Sequence, residues 1–344
     1  MSAVKGLIQT VRGPISPGDL GPTLLHEHIL CDIRPPDWKA LDQVGAHITL
    51  ENRHAIDYGE VLAPGNYLLD SVDLATSEVA RLKDAGGTAM VELSCGGLNP
   101  NPAGLKAVSE ATGVHIVMGC GHYVEEYQPA ANGSRSMDDF AREMITQVQD
   151  GAWGTDIKAG LIGEIGCQAP WTPQEQRIMA AAALAQQETG AALSVHPGRD
   201  ADQPQQIADF LTAAGGDLSR TIISHIDRTI FDDDRLFRLA DTGVVIELDL
   251  FGMETSYYKL NEAIDMPNDA ARLTAVRKLI ERGHLKQIAI SQDICQRTRL
   301  TALGGHGYGH IFRNILPMMR RRGFSEAEIE TIMVATPRRL LTLI

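Results

Sequence analysis

The chain has 344 residues, 44% of them hydrophobic, so it is long and apolar enough to bury a large core. Lys and Arg total 31 against 44 Asp and Glu, and the net charge of -13 argues against nucleic acid or an anionic membrane surface as partner. Residues 1–13 lack a signal-peptide pattern and no apolar run reaches the roughly 18 residues that span a bilayer. We therefore expect a cytoplasmic protein, with residues 1–344 forming a single domain.

The predicted elements begin with a short hairpin over Leu7–Ile15, where hydrophobic alternation meets Gly-Pro turn residues. Eight short, almost continuously apolar runs then predict buried parallel strands. These runs are Leu24–Leu30, Gly87–Ser94, Val114–Gly119, Ala159–Gly166, Ala192–His196, Thr221–His225, Gly243–Leu248 and Gln287–Gln292. Stretches with helical spacing lie between most of them, including Ser71–Ala85, Met137–Gln149, Pro173–Thr189, Gln203–Ala214 and Asp269–Arg282. Three further helical stretches follow the last strand, at Ile311–Arg321, Ser325–Val334 and Pro337–Leu343.

Alternation of strand and helix on this scale places the chain in the α/β class. Eight parallel strands joined by right-handed crossover helices can close on themselves, which predicts a (β/α)8 TIM barrel. The short N-terminal β-hairpin is expected to plug the lower end of the barrel, and the extra C-terminal helices to pack outside it. An open, doubly wound sheet is the alternative architecture.

Six side chains that bind metals well stand where the predicted strands end. Residues two apart on an extended strand point to the same side, so His26 and His28 are able to meet one cation. The other four each close a later apolar run: Glu164, His196, His225 and Asp293. Because barrel enzymes place their catalytic groups at the carboxyl ends of the strands, all six are expected to converge there as metal ligands.

Four imidazoles and two carboxylates exceed what one tetrahedral zinc ion binds, so the set predicts two divalent ions. Glu164 comes from a middle strand, between the His26/His28 pair and the His196/His225 pair, and is predicted to bridge both ions. Zinc is the first choice as the metal, and manganese, cobalt or iron are compatible with the same ligands.

Several longer motifs resemble the phosphotriesterase family of the amidohydrolase superfamily, and within it the phosphotriesterase-related proteins. The resemblance covers essentially the whole chain. Its motifs are Thr10-Val11-Arg12-Gly13-Pro14-Ile15, His26-Glu27-His28, Gly163-Glu164-Ile165-Gly166, His196-Pro197-Gly198-Arg199, Ser224-His225-Ile226-Asp227-Arg228, Asp249-Leu250-Phe251-Gly252, Ile264-Asp265-Met266-Pro267, Asp293-Ile294-Cys295, and Gly304-Gly305-His306-Gly307-Tyr308-Gly309-His310-Ile311.

The resemblance implies a barrel with two divalent metals and a bridging hydroxide that hydrolyses esters, lactones, amides or organophosphates. Two positions depart from the best-known members of the family. Where many of those carry a carboxylated lysine as metal bridge, this chain has Glu164, as the related-protein branch does. Where the phosphotriesterases proper have a histidine for proton relay, this chain has Leu250. Phosphotriester turnover is therefore expected only as an incidental activity.

Two aspartates are candidate catalytic residues. With hydroxide as the nucleophile, Asp293 is predicted to accept its proton and return it to the leaving group. Asp227 lies two residues after His225, and we expect it to orient that ring or, in place of the missing histidine, to pass protons outward.

Candidate substrate contacts are basic or aromatic side chains close to the same strand ends, in a protein that is otherwise acidic. Arg228 is the first choice for binding an anionic group such as a carboxylate or sulfonate, the alternative being that such arginines pair with a nearby aspartate. The other candidates are Arg199, Arg299, Tyr123, His122, Tyr257 and His306.

The resulting hypothesis is a dinuclear metal-dependent hydrolase that cleaves a small amide or carboxylic ester, N-acyl amino or sulfonic acids being favoured by the arginines. The alternatives are a lactonase or promiscuous phosphotriesterase and, in a different class, a non-catalytic protein that binds a small ligand. The oligomeric state stays open, and a homodimer is compatible with the family.

Overall fold

The computed structural model describes residues 5–40 and 45–344. Within these ranges the strands are β1 Ile8–Thr10, β2 Gly13–Ile15, β3 Thr23–Glu27, β4 Cys31–Asp32, β5 Leu68–Leu69, β6 Ala89–Glu92, β7 His115–Cys120, β8 Leu161–Gly166, β9 Leu193–His196, β10 Thr221–Ile223, β11 Val245–Leu248 and β12 Ile288–Ile290. The α-helices are α1 Pro36–Ala40, α2 Arg53–Asp57, α3 Val72–Asp84, α4 Pro102–Thr112, α5 Met137–Gln149, α6 Pro173–Thr189, α7 Gln203–Ala213, α8 Asp233–Asp241, α9 Asp269–Glu281, α10 Leu316–Arg321, α11 Glu326–Glu330 and α12 Thr336–Leu341. Among the described residues, no helix combines the length and apolar character needed to cross a membrane.

Eight strands form one parallel sheet in the order β12-β11-β10-β9-β8-β7-β6-β3. All seven connections between these strands carry a helix, α3 to α9 in turn, which confirms the predicted (β/α)8 barrel. The predicted N-terminal hairpin is present as the antiparallel pair β1 and β2. Helical segments also occupy the three predicted C-terminal stretches. The π-helical turn Ile311–Ile315 leads into α10, and the π-helical turn Thr331–Ala335 connects α11 to α12.

The seam between β3 and β12 is closed by a buried carboxylate. Ser291 donates its hydroxyl to the His26 carbonyl and to Glu27 Oε1, both at 2.8 Å. The backbone N–H groups of Gln292 and Ile294 donate to the two carboxylate oxygens of Glu27, each at 3.0 Å. Glu27, the middle residue of the His26-Glu27-His28 motif, therefore joins the first and last barrel strands. It holds the segment that carries the two histidines against the end of β12.

Two apolar layers hold the barrel together. The larger one lies between the strands and the surrounding helices, and a smaller one fills the barrel itself. In the smaller layer, Ile8 of the hairpin and Leu340 of α12 pack with residues near the amino ends of the strands, such as Leu161 and Ile222. The hairpin therefore plugs the lower end as predicted, and the opposite end is left for polar side chains.

Candidate metal centre and the cavity above it

The six predicted ligands meet at the carboxyl ends of their strands, around the Glu164 carboxylate. Its Oε1 lies 3.5 Å from Nε2 of His28. Its Oε2 lies 3.0 Å from Nδ1 of His196 and 3.5 Å from Nε2 of both His26 and His225. The two oxygens of one buried carboxylate thus face different imidazoles, which is the arrangement that a bridging ligand requires.

Asp293 faces the cluster from the end of β12. Its Oδ1 lies 3.3 Å from Nε2 of His28 and 3.7 Å from Nε2 of His26. Its side chain is 14% exposed, whereas that of Glu164 is 2% exposed, so Asp293 is the carboxylate of this pair that solvent reaches. Burial raises its pKa, but the hydrogen bond from His28 and the charges of His225 and His26 outweigh burial and hold the pKa of Asp293 well below its usual value.

Asp249 fixes the position of His225. One Asp249 oxygen accepts the ring Nδ1–H of His225 at 2.8 Å, and the other accepts its backbone N–H at 2.9 Å. His225 adopts φ of +56°, a left-handed conformation that costs a non-glycine residue on the order of 1 kcal/mol or more. The double hydrogen bond to Asp249 offsets that cost and directs Nε2 of His225 toward Glu164.

His26 is held in a similar way from below. Its Nδ1 lies 3.2 Å from both the Ser224 hydroxyl and Oε2 of Glu247, and all three side chains are buried. Its Nε2 points into the cluster and, in the described part of the chain, is a buried nitrogen with no hydrogen-bond partner. A buried polar atom left in this way indicates a missing ligand.

The charges of the cluster also suit cations. Burial alone would lower the pKa values of His26, His28 and His225, but the surrounding carboxylates raise all three. The site therefore stabilises positive charge on the faces of the rings that point at Glu164. Three triads of potential ligands have their donor atoms within 4.8 Å of one another, two of them sharing Glu164. Imidazole and carboxylate donors in this arrangement fit borderline divalent metals.

His196 is the neutral member of the set. Burial, aided by the charges of His225 and Arg228, lowers its pKa to about 3 in spite of the neighbouring Glu164. Its Nδ1 faces Glu164 and Nε2 of His225, the latter at 2.8 Å, while its own Nε2 lies 3.3 Å from the Arg228 guanidinium. A neutral imidazole is the form that binds a metal.

A cavity of about 1380 Å³ opens above the cluster. Among the predicted substrate contacts, the structure brings six to its wall. These six are Arg199, Arg228, Arg299, Tyr123, Tyr257 and His306.

Arg228 and Arg199 are directed by neutral groups. Arg228 donates to the carbonyls of Pro197 at 2.9 Å and Gly198 at 3.4 Å. Arg199 donates to the Tyr258 hydroxyl at 3.0 Å. Within residues 5–40 and 45–344, neither guanidinium forms an ion pair with a carboxylate, so the alternative of pairing with a nearby aspartate does not describe them. Their charge is available to a ligand in the cavity.

Arg299 has a second task beside lining the cavity. It donates to the backbone carbonyl of Asp293 at 2.7 Å, and its other nitrogen lies 3.1 Å from the Met253 sulfur. Asp293 also adopts a left-handed φ, of +46°. Arg299 therefore stabilises the turn that presents Asp293 to the cluster.

Tyr257 and His306 also line the cavity. The Tyr257 ring stacks on that of Tyr58 with centroids 5.2 Å apart, which joins the loop after β11 to the long segment after β3. Both ring nitrogens of His306 are buried, and neither has a hydrogen-bond partner among the described residues. His306 therefore offers the cavity an unpaired polar group.

Asp227 does not orient His225, contrary to prediction. It is buried, and its Oδ2 accepts from Arg272 Nε at 2.7 Å and from the Leu250 N–H at 3.0 Å. The turn Ile226–Arg228 rotates Asp227 away from the ring, and Asp249 takes the expected position. Asp227 lies outside the cavity wall as well, so a proton relay through it finds no support in the geometry.

His122 is also absent from the cavity wall, which corrects its prediction as a substrate contact. Gly121, with φ of +107°, turns the chain after β7, and the ring of His122 packs inward. There Nδ1 lies 3.0 Å from the Gln128 amide oxygen and Nε2 lies 3.3 Å from Glu143. Arg135 also bonds to Glu143, so His122 belongs to a structural network.

This network predicts a pH-dependent contribution to stability. Burial would raise the pKa of Glu143, but His122 and Arg135 lower it from 4.5 to about 2. A carboxylate with a lowered pKa stabilises the fold above its unfolded pKa, and the effect is lost as the pH falls from 4.5 toward 2. Glu143→Gln should therefore lower the free energy of unfolding by about 1–2 kcal/mol at neutral pH, allowing for partial solvent screening. Urea titrations should show this difference shrinking below pH 4.5, whereas Gln at the exposed Glu110 should change little at any pH.

Sequence reasoning missed Asp249 and Glu247, which support the two histidines from below. Both lie at the end of β11, on one face of the chain because they are two residues apart. That spacing repeats the pattern of His26 and His28 and is the available signal for a second polar pair. Which histidines these two carboxylates meet depends on the placement of the strands around the barrel, which the spacing alone does not give.

A barrel with imidazoles and carboxylates gathered at its strand ends defines a class of metal-dependent hydrolases. The model of the phosphotriesterase family matches residues 6–341. A phosphotriesterase-related protein of Nematostella vectensis is 40% identical, over 98% of this chain and 99% of its own. The N-acetyltaurine hydrolase of Xenopus tropicalis is 39% identical over 99% of both chains. The solved structure of a resiniferatoxin-binding protein from Rhodobacter sphaeroides has a TM-score of 0.91 and 34% identity, covering 98% of this chain and 96% of that one.

The chain belongs to the phosphotriesterase family, and it is a hydrolase. The family is metal-dependent, and the candidate ligand groups around Glu164 are those that the sequence singled out.

Proposed function

We propose that this hydrolase cleaves the amide bond of N-acylated amino or sulfonic acids with the help of two divalent ions, zinc in first place. The observation that carries the proposal is the position of Arg228. Among the described residues Arg228 has no carboxylate partner, and it lies 3.3 Å from His196 on the wall of the cavity above the ligand cluster. An anionic substrate bound there has its reactive carbonyl within reach of the cluster.

Two groups of side chains would hold the ions, with Glu164 common to both. One group is His26, His28 and Asp293, and the other is His196 and His225. Manganese, cobalt or iron suit the same donors. When bound, the ions would lower the pKa of water and polarise the substrate carbonyl.

Asp293 is proposed as the proton carrier of the reaction. It is the more exposed carboxylate of the cluster, and it lines the cavity with Oδ1 3.3 Å from Nε2 of His28. The oxygen of water forms a bond to the carbonyl carbon, its proton passes to Asp293, and the carbon–nitrogen bond breaks. Asp293 then returns the proton to the leaving nitrogen, so that a carboxylic acid and a free amine are produced.

Arg228 and Arg199 are proposed to bind the acidic group of the leaving amine. Arg228 is 3% exposed and its donors are directed by backbone carbonyls, so its orientation is set before a ligand arrives. The terminal nitrogens of Arg228 already meet Pro197, Gly198, Thr229 and His196, so Arg228 attracts the acidic group through its charge. Arg199 bonds to Tyr258 through Nε, and its two terminal nitrogens suit the paired hydrogen bonds that guanidinium groups form with anionic groups. The relatives named N-acetyltaurine hydrolase act on an N-acylated sulfonic acid, which is consistent with this choice of substrate.

Two alternatives differ in what they need from the cavity. A lactonase or promiscuous phosphotriesterase needs no acidic group on the substrate. The charges of Arg228 and Arg199 at the cavity wall would then have no role in binding it. A non-catalytic binding protein would have no use for Asp293 in a left-handed turn beside the ligand cluster. The first alternative therefore leaves the two arginines unexplained, and the second leaves Asp293 unexplained.

Metal analysis and a hydrolysis screen test the proposal together. The purified protein should contain about two divalent ions per chain, and a chelator should abolish hydrolysis. Substrates should include matched pairs that differ only in the acid, such as N-acetyltaurine and N-acetylethanolamine, with lactones, carboxylic esters and phosphotriesters alongside. We expect the acidic amides to have the highest kcat/KM. A lactone cleaved faster than every amide, or a metal-free protein that binds the amides unchanged, would overturn the proposal.

A further inference from the structure

The cavity is much larger than a small N-acyl acid requires. Pockets of about 300–1,000 Å³ bury most of a drug-sized ligand, and the cavity here measures about 1380 Å³. An acetyl group and a short acid fill a small part of that volume. The rest of the cavity therefore bears on what kind of acyl group the site accommodates.

Arg199 and the aromatic part of the wall follow strands on opposite sides of the barrel, whereas Arg299 follows β12, next to the β3 side. Arg199 follows β9, whereas Ile33, Trp38 and Tyr67 belong to the segment after β3. In the order of the sheet, β9 and β3 are four strands apart, which is half of the way round an eight-stranded barrel. The ligand cluster lies between the ends of these strands, and the loop after β11 connects the two sides, because Tyr258 bonds to Arg199 while Lys259 lies over the Tyr67 ring.

Aromatic and aliphatic groups form the side of the wall after β3. The rings of Trp38 and Tyr67 contact edge to face, with centroids 5.7 Å apart. Two cations also border this side: Arg53 donates to the Thr298 carbonyl at 2.9 Å and lies 3.9 Å from Asp57, and Lys259 lies over the Tyr67 ring at 5.0 Å. Asp57 offsets the charge of Arg53, and the surface from Ile33 to Leu62 beside these groups suits an apolar group.

The apolar wall continues to the mouth of the cavity. Among the large hydrophobic side chains that the described residues expose, Leu50, Leu62 and Leu260 all border this cavity. Single exposed leucines are common in proteins, but apolar surface grouped around one cavity often marks a binding site. Their position at the mouth gives an apolar chain a continuous path outward from the cluster.

We propose that the preferred acyl group is a medium to long apolar chain, which runs from the ligand cluster past Trp38 toward Leu62. This inference rests on the proposed function and names its substrate class: amphiphilic N-acyl acids. The acidic end binds at Arg228 and Arg199, the amide lies over the cluster, and the alkyl chain occupies the side of the wall after β3. Hydrolysis is the reaction already described, and its products are a fatty acid and the free amino or sulfonic acid.

A chain-length series tests the inference. The substrates are acetyl-, butyryl-, hexanoyl-, octanoyl- and decanoyl-taurine, and the enzyme is the metal-loaded wild type. Because burial of a methylene contributes about 0.8 kcal/mol, kcat/KM should rise by about fourfold for each added methylene until the chain leaves the mouth. Binding of butane-, hexane- and octanesulfonate, which are not cleaved, should tighten in parallel when measured by calorimetry.

Two matched variants locate the chain. Leu62→Asp places a charge on the proposed path and should reduce the gain from acetyl to decanoyl by about tenfold or more. Phe231→Asp also replaces an exposed apolar side chain with a charge, at 52% exposure against 53% for Leu62, but it lies outside the cavity. It should leave the dependence of kcat/KM on chain length unchanged. Trp38→Ala removes the ring that contacts Tyr67, and it should also reduce the rise in kcat/KM with chain length.

The outcomes separate this inference from the proposed function. Equal kcat/KM for the acetyl and decanoyl substrates would overturn the inference and leave the amide hydrolase standing. If no N-acyl acid is cleaved, the proposed function fails, and the alkanesulfonate affinities then test the apolar site on their own. Affinities that rise with chain length and fall in Leu62→Asp would support the apolar site, and flat affinities would overturn it.

Discussion

Asp293→Asn should lower kcat by about 10²–10⁴-fold while most of the metal stays bound. The amide oxygen of Asn has the shape of the carboxylate oxygen that lies 3.3 Å from His28, so a ligand remains at that position. What the variant loses is the ability to accept a proton, and removal of a positioned general base has effects of this size. Turnover of an N-acyl acid and metal content, determined on the same sample by atomic emission, measure the two effects separately.

The matched control is Asp32→Asn. Asp32 is also buried and is paired with Arg34 through two hydrogen bonds of 2.9 Å, but it lies outside both the ligand cluster and the cavity wall. The control should lose some thermal stability and keep its turnover. Wild-type kcat in Asp293→Asn with full metal content would show that the proton passes to another group. Loss of metal in step with loss of turnover would show that Asp293 acts as a ligand and nothing more.

Much of this site was predictable because polar residues at the ends of apolar runs carry information about a barrel. A strand fixes the direction of its side chains by alternation, and parallel strands bring their ends to one face. His26, His28 and Glu164 obey those two rules, so the sequence places them without knowledge of the loops. The same rules account for the lower end of the barrel, where the hairpin around Ile8 was expected and found.

The two errors lie past the ends of strands, where alternation no longer sets the direction of a side chain, although His225 and Asp293 also lie past their strands and still reach the cluster. β10 ends at Ile223, so the left-handed turn at His225 breaks the alternation that would have directed Asp227 to the His225 ring. Gly121 has the same effect after β7, and His122 turns away from the cavity. Backbone conformation at single residues decides these directions, and it depends on partners such as Asp249 that are remote in sequence.

Most of the apolar cavity wall also escaped prediction. Leu50, Leu62 and Leu260 come from long connecting segments without a helical or strand period, where hydrophobic residues carry no directional signal. Their shared position at the mouth becomes visible only when the segments after β3 and β11 are seen together, joined by the stack of Tyr58 on Tyr257.

Asp249→Ala should weaken both the fold and the metal site. It removes the acceptor of two hydrogen bonds and leaves a buried N–H and a buried ring nitrogen of His225 without partners. Removal of one member of a buried, hydrogen-bonded pair costs about 3–5 kcal/mol, and loss of the group that orients a ligating histidine lowers metal affinity about 10–100-fold. Denaturant unfolding and competition with a chelator measure the two effects.

Asp249→Asn distinguishes orientation from charge. Its amide oxygen still accepts one hydrogen bond from His225, so the backbone at +56° keeps a partner and the unfolding free energy should recover by about half of the loss in Asp249→Ala. Its –NH₂ group, however, cannot accept the second donor, and metal affinity should stay below that of the wild type. Equal metal affinities in all three proteins would mean that Asp249 stabilises the β10 turn without directing His225. The hydrogen bonds between His225 and Asp249 would then serve the stability of the fold alone.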